Sequence, residues 1–325
     1  MMKPGLNVPG WGVVFSLVML LALPVQAQQS AWSRMGPGAR AEALRSVADR
    51  PVEERLVALS AHFLGARYVL SPLGEGSGLD PDPLFDADAA DCLTFVEQSL
   101  ALAYSDAPEQ ILAELTRLRY SDEGPGYDSR LHLMEAQWIP TQIARGHLRD
   151  LTGSLGGSAT VLEEHVLTPT TWSSRTSRQL RLPKERQIEG RFPMEVIPLD
   201  RARQQIDAFP HGSILMVVRE ARPLLPTRIT HLGIVVRRKG RTFLRHASRS
   251  GPGKVVDEDL ATFLTRNAGY RKWPVVGVSV FQPQEREGRS SPPVASHLST
   301  AEVEGETASE GKRPTPPVVS SDGVN

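Results

Sequence analysis

Only one cysteine, Cys92, occurs in the 325 residues of this chain, so no disulfide within the chain can staple it, and its fold must rest on burial of apolar side chains. With 40% hydrophobic residues, the composition is ordinary for a globular protein. The cysteine lies in Asp91-Cys92-Leu93-Thr94-Phe95-Val96-Glu97. Leu93, Val96, Leu100 and Ala103 follow at steps of three, four and three, which marks an amphipathic helix with Cys92 in its first turn. Asp88 or Asp91 is placed to cap that helix. Free N–H groups and the positive end of the helix dipole favour a thiolate there. The competing reading is a small buried hydrophobe whose chemistry is never used, the commoner fate of a lone cysteine.

Compartment bears on that choice. Lys3, the apolar run Trp11 to Leu23 and then Pro24-Val25-Gln26-Ala27 read as a secretory signal peptide, residues 1–27, cut after Ala27. The run is shorter than the roughly 20 apolar residues a membrane span needs, and no stop-transfer cluster follows it. No cysteine stands near the cleavage site to carry a lipid. The mature protein is expected to be exported, periplasmic or extracellular, with no stable membrane span. In an oxidising compartment an unpaired cysteine calls for a reason, and reactivity is one. Lys+Arg 37 against Asp+Glu 37 leaves no charge excess of the kind nucleic-acid binding requires.

Residues 28–60 read as a helical segment, with Leu56, Leu59 and Phe63 at helical spacing after a break at Pro51. A Gly-, Pro- and Asp-rich stretch from Arg67 to Asp86 leads to the Cys92 helix, and a further helix is expected over 108–120. Residues 153–191 are polar and basic, carrying Arg175, Arg178, Arg181, Lys184, Arg186 and Arg191. They are expected to form a solvated, partly flexible insertion; a basic lip that attracts carboxylate-bearing substrates is the functional alternative. Ser213–Val218, Leu232–Val236, Thr242–Ala247 and Val275–Phe281 read as an antiparallel meander. Residues 284–325, rich in Ser, Pro, Glu, Gly and Thr, hold too little apolar surface for a core and are expected to be a disordered tail. The folded catalytic unit is therefore expected to span 61–283.

Two histidines stand in the meander, in Thr230-His231-Leu232-Gly233-Ile234 and Leu244-Arg245-His246-Ala247-Ser248. If Lys239-Gly240 is the hairpin turn, Gly233 opposes His246 and His231 opposes Ser248, so both histidines share one face as diagonal neighbours about 7–8 Å apart at the backbone. Gly233 leaves room for one imidazole to lean toward the other. A thiol at a helix start, a strand histidine and a second polar group form a nucleophile–base–orienter set. In it Cys92 attacks a carbonyl, His231 pairs with the thiolate and protonates the leaving amine, and His246 orients His231. N–H groups at the helix start face the oxyanion. A second cluster, Arg130, His132 and Glu135, has two readings: substrate contact through the planar guanidinium, or a salt-bridge and capping role. His132 and Glu135 at i, i+3 amount to half a metal site without further ligands at legible spacing, and neither a metal nor a cofactor is expected.

The motifs DCLTFVE, His211-Gly212-Ser213, THLGIVV and FLRHAS, in that order, resemble the NlpC-type superfamily of papain-like cell-wall cysteine peptidases and amidases. Leu64-Gly65-Ala66-Arg67-Tyr68, and Arg130 with His132 ahead of Trp138, are similar to its N-acetylmuramoyl-L-alanine amidase-like branch. Ser213 and Gln137 stand where acidic residues are more usual, and Tyr68 lies farther before the cysteine than is common. The resemblance implies an α+β, papain-like fold, with N-terminal helices, one opening with the nucleophile, packed on a small antiparallel sheet. It implies Cys92, His231 and His246 as catalytic residues. Tyr68 would aid the oxyanion, with a buried structural role as the alternative, and Arg130 and His132 would lie near the cleft. The implied substrate is peptidoglycan or its muropeptides, anhydro-muramyl fragments included, cut at the amide between the muramyl lactyl group and L-alanine. The alternatives are a D-glutamyl–diamino acid endopeptidase of the stem peptide and a catalytically silent wall-binding protein; the presence of all three residues speaks against silence.

Overall fold

The computed structural model describes residues 29–286, so the expected signal peptide and nearly all of the expected tail lie outside the described residues. The helices are α1 (Ala31–Arg34), α2 (Pro37–Arg45), α3 (Val52–Ser60), α4 (Cys92–Tyr104), α5 (Ile111–Arg119), α6 (Ile139–Ala144), α7 (Thr152–Gly156), α8 (Pro169–Ser173), α9 (Arg175–Arg178), α10 (Leu199–Gln204) and α11 (Leu260–Ala268). The strands are β1 (Arg67–Tyr68), β2 (Ala89–Ala90), β3 (Leu148–Asp150), β4 (Val161–Leu167), β5 (Gly190–Pro198), β6 (Ile214–Arg219), β7 (Ile229–Arg238), β8 (Arg241–Ser248), β9 (Lys254–Asp259) and β10 (Val275–Pro283).

They form one ten-stranded sheet in the order β2-β1-β9-β8-β7-β6-β10-β5-β4, with β3 also on β10. The β1–β2 pair is parallel and the other pairs are antiparallel, so the fold is α+β on a mixed sheet. The expected meander strands are present as β6, β7, β8 and β10, but the sheet is larger than the small antiparallel one anticipated. One reason is β9, whose Lys-Val-Val-Asp-Glu-Asp shows no apolar alternation. Its acids are matched across the ladder instead: Asp257 opposes Arg245 in register and receives its Nε at 2.7 Å.

Side-chain alternation splits the core into two layers. Met216, Val218, Leu232, Ile234 and Val236 pack with α3, α4 and α5 on one side, joined by Trp32, Leu44 and Leu56 from the N-terminal helices. Leu215, Val217, Val235, Leu244 and Val280 pack on the other side against Phe263 and Leu264 of α11. Helix α4 is not amphipathic in its setting, because residues from Thr94 to Tyr104 are buried on all sides. Its start is held by Asp91, whose carboxylate accepts the Thr94 N–H at 2.8 Å while Thr94 Oγ1 accepts the Asp91 N–H at 2.9 Å. A reciprocal cap of this kind contributes about 1 kcal/mol and fixes where the helix begins, hence where Cys92 points.

The 153–191 segment is folded rather than flexible. β4 pairs with β5 along its whole length. Leu167, Trp172 and Leu182 gather with Leu133 into a cluster of their own, and Trp172 Nε1 donates to the Ile188 carbonyl at 2.8 Å. These apolar residues are too scattered in sequence to show a local period and meet only once β4 and β5 pair. Two of the basic residues are matched, Arg186 with Glu123 and Arg191 with Glu164.

Candidate active site

Cys92 lines a cavity of about 310 Å³ whose walls come from β1, α4, the 127–134 segment, α9 and the 225–232 segment. The apolar part includes Leu93, Leu133, Leu180 and Ile229, and the polar part includes Asp91, Glu97, Arg119 and Arg130. This mixture suits a ligand with both a polar backbone and small apolar groups. The folded insertion contributes Thr176, Gln179 and Leu180 to one wall.

Three backbone N–H groups, those of Cys92, Leu93 and Leu232, are turned toward the Cys92 sulfur and favour its ionised form. Burial opposes them and wins, with the Asp91 carboxylate adding to it, and the thiol is pushed up to about 12. The thiolate expected from the helix start is therefore not the resting form: the same aspartate that caps the helix holds a negative charge beside the sulfur. Tyr68, on β1, also lines the cavity. Burial first, then the nearby Cys92 and Asp91, raise its phenol above the usual value, so the hydroxyl keeps its proton and serves as a donor.

Lys239 and Gly240 have φ of +50° and +72°, the signature of a two-residue hairpin turn. The register is the one that turn imposes, with Ile234 opposite Arg245 and Arg238 opposite Arg241. It brings His231 Nε2 to 2.6 Å from His246 Nδ1. A Cβ at Gly233 would sit 2.7 Å from the Arg245 carbonyl and 2.9 Å from His246 Cβ, so only glycine lets the two strands close to this distance. Both imidazoles pack on Phe263 of α11, with centroids at 5.6 and 5.4 Å. Burial, then His246, Arg266 and Arg219, lower His231 well below its ordinary value, and it is neutral at pH 7.

Cys92 meets β7 at the peptide that joins His231 to Leu232, since the Leu232 N–H faces its sulfur. The His231 ring does not line the cavity: it packs on Phe263 of α11, on the side of the sheet opposite α4, so the structure does not bring the thiol and the imidazole together. Nε2 of His231 is engaged by His246, which leaves Nδ1 as the ring nitrogen outside that contact.

Arg130 and His132 line the same cavity. The Arg130 guanidinium is already forked onto Glu75 and Asp80, at 2.5 and 2.8 Å, so its charge is balanced within the protein. His132 Nε2 donates to the Tyr127 carbonyl at 2.7 Å, and burial pushes the ring down to about 4, so it stays neutral. Glu135 is directed away from both; its carboxylate accepts Thr227 Oγ1 at 2.7 Å and the Ile229 N–H at 2.9 Å, which pins the 225–230 wall. Among the described residues no group of three or more His, Cys, Asp or Glu side chains is set to hold a metal ion.

Sequence patterns did not single out two features. Arg119 is 4% exposed, and its Nε and Nη1 have no hydrogen-bond partner; its nearest acid, Glu97, is 3.8 Å away. Burial raises Glu97 to about 7, against the pull of Arg119, while Trp138 Nε1 donates to it at 2.9 Å. The other feature is Glu258 on β9, whose Oε2 lies 3.1 Å from His246 Nε2. Arg119 and Glu258 belong to no short motif, and although Glu97 closes the DCLTFVE motif, only the folded chain sets it beside Arg119.

A family model described as AmiA-like, N-acetylmuramoyl-L-alanine amidase-like, matches residues 58–270. No curated protein matches the chain. Among solved structures, a Legionella pneumophila protein of the DUF1460 family is similar at 22% identity and a TM-score of 0.65, over 77% of this chain and 94% of that one. An N-acetylmuramoyl-L-alanine amidase from Bacteroides uniformis is similar at 24% identity and a TM-score of 0.58, over 72% of this chain and 99% of that one. At these identities the likeness concerns the fold. The family match covers well over half of the sequence, and the chain belongs to the AmiA-like, N-acetylmuramoyl-L-alanine amidase-like family.

Proposed function

We propose that this protein is an exported cysteine amidase that hydrolyses the bond between the muramyl lactyl group and L-alanine in peptidoglycan or its released muropeptides. The observation that carries the mechanism is the placement of Cys92: at a capped helix start, in the wall of a peptide-sized cavity, with its sulfur against the peptide that leaves His231. The choice of bond rests on the family. The order of a helix-borne cysteine followed by strand-borne histidines is what relates this reading to the papain-like, NlpC-type enzymes.

The thiol and the imidazole are both neutral at rest, and ionising the thiol in advance at pH 7 costs several kcal/mol. Attack is therefore coupled to proton transfer: Cys92 Sγ bonds to the lactyl carbonyl carbon as its proton passes to His231 Nδ1. The transfer requires the His231 side chain to turn from its packing on Phe263 toward the Cys92 sulfur when substrate is seated. The oxyanion meets the N–H groups at the start of α4 and the Tyr68 hydroxyl. His231 then gives its proton to the L-alanine nitrogen, the C–N bond breaks, and the stem peptide leaves with a free amino end. Water, deprotonated by His231, hydrolyses the remaining muramyl thioester and restores the thiol.

Digestion of a defined disaccharide-tetrapeptide and of its anhydro form, read by mass, tests the choice of bond. Release of the intact stem peptide beginning at L-alanine is the expected result. A disaccharide that retains a dipeptide would make the enzyme a D-glutamyl endopeptidase instead.

A further inference from the structure

The segment around α9 supplies part of the cavity wall and carries an unbalanced charge. Thr176, Gln179 and Leu180 line the cavity. Ser177 is buried, with its N–H given to Ser174 Oγ at 3.1 Å, and Leu182 packs in the Trp172 cluster. The Tyr127 hydroxyl donates to the Leu180 carbonyl at 2.7 Å, which ties this segment to the 127–134 wall. What faces solvent is basic. Arg175, Arg178, Arg181 and Lys184 are exposed, and no acid occurs from Ser174 to Lys184. Among the described residues none of these four side chains has an ion-pair or hydrogen-bond partner, whereas Arg186 and Arg191 are matched to Glu123 and Glu164.

The charge is felt in the cavity itself. Burial raises the phenol of Tyr127, a cavity residue; Arg130 and Arg181 act against that rise, and Asp80 and Glu75 add to it. The Thr171 hydroxyl donates to the Pro223 carbonyl at 2.7 Å and joins α8 to a neighbouring segment. That segment adds the exposed Arg222, 5.4 Å over the ring of Trp273, which also lines the cavity. Inside, Arg130 is already balanced by Glu75 and Asp80, so it is not the charge an incoming carboxylate meets. The free cations stand at the rim. Arg175 and Arg178, three apart on one helix, repel each other, and an anion held between them relieves that repulsion.

We propose that Arg175, Arg178 and Arg181 form a docking lip for the free carboxylates of the stem peptide, those of its D-glutamyl and diamino acid residues. The proposal rests on the reading of the protein as a muropeptide amidase and assigns the insertion to the peptide end of that substrate. The lip touches no reacting atom. Cations at the mouth of a cleft raise the rate of encounter with an anion, and salt screens them over about 8–10 Å. The effect therefore falls on kcat/KM and fades with salt, while kcat is set by the chemistry at Cys92.

The test uses two forms of a disaccharide-tetrapeptide, one with free carboxylates and one with the D-glutamyl and diamino acid carboxylates converted to amides. Each is assayed at about 20 mM and about 500 mM salt, on either side of strong screening. The wild type should favour the free acid by about 10-fold in kcat/KM at low salt, the lower end of what steering supplies, and the preference should vanish at high salt. The triple variant Arg175→Gln, Arg178→Gln, Arg181→Gln changes exposed side chains only, which leaves a fold intact. It should treat the two forms alike at either salt. A folded triple variant that keeps the preference and its salt dependence overturns the proposal, as does a loss of equal size on both forms. Calorimetric titration of both forms into Cys92→Ala protein reads the lip without turnover; equal affinity for the two overturns it as well. If the wild type cleaves neither form, the amidase reading fails. If it cleaves them and the triple variant behaves like the wild type, only the lip fails.

Discussion

At the residue scale, the protein departs most from expectation in the charge on Cys92. A helix start was expected to yield a thiolate, and three N–H groups do face the sulfur, but burial and the Asp91 carboxylate outweigh them and the thiol titrates at about 12. The sign of the consequence is fixed. A group whose pKa is raised stays protonated up to that value, so alkylation of Cys92 by neutral iodoacetamide should be slow at pH 7 and should climb with pH into the alkaline range. A plateau already reached by pH 7 would contradict this. Asp91→Asn keeps a capping side chain but removes the charge that raises the thiol, so alkylation at pH 8 should quicken several-fold; its amide sets a donor against the Ser71 N–H that Asp91 Oδ2 accepts at 2.9 Å, which should cost about 1–3 kcal/mol of stability. The histidine pair was legible because a two-residue turn fixes register, and register fixes which side chains meet. Glu258 and Arg119 were not legible, since their meaning lies in partners gained or missing in the folded chain.

At the scale of elements, strands with apolar alternation could be read and strands held by charge could not. β9 pairs its acids with arginines of β8, and β4 exposes Leu162 at 70% while burying His165, so neither shows the pattern of a half-buried strand. The π-turn Met134–Trp138 hides a similar device. Its Glu135 was considered as part of a substrate or metal cluster, but it holds the cavity wall by accepting the N–H groups of Arg228 and Ile229 and the Thr227 hydroxyl. Glu135→Ala leaves two buried donors unpaired and should cost about 2–4 kcal/mol of stability, read from denaturant midpoints. It should also raise KM, because the 225–230 wall is then unpinned. Unchanged stability would mean that water replaces the carboxylate.

At the scale of the whole molecule, the N-terminal helices were expected to form a segment apart from the catalytic unit, yet Trp32, Leu44 and Leu56 share a core with Phe95 and Leu100 of α4. The 153–191 segment, expected to be loose, closes one side of the cavity through a satellite cluster about Trp172. That cluster is separate from the two main layers, so Trp172→Ala should loosen the insertion alone. Limited proteolysis should cut first between β4 and β5 while the remainder stays protected, and KM should rise with kcat largely kept. Loss of protection across the whole chain would show that the insertion is part of the main cooperative unit. The central claim is that Cys92 is the nucleophile of a peptidoglycan amidase. Its most direct test is the turnover of a disaccharide-tetrapeptide by Cys92→Ala beside the wild type. The expected result is a fall of about 10⁴-fold or more in kcat, the scale at which removal of a nucleophile acts, with the variant still folded. Release of stem peptide by Cys92→Ala at a rate near that of the wild type would contradict it.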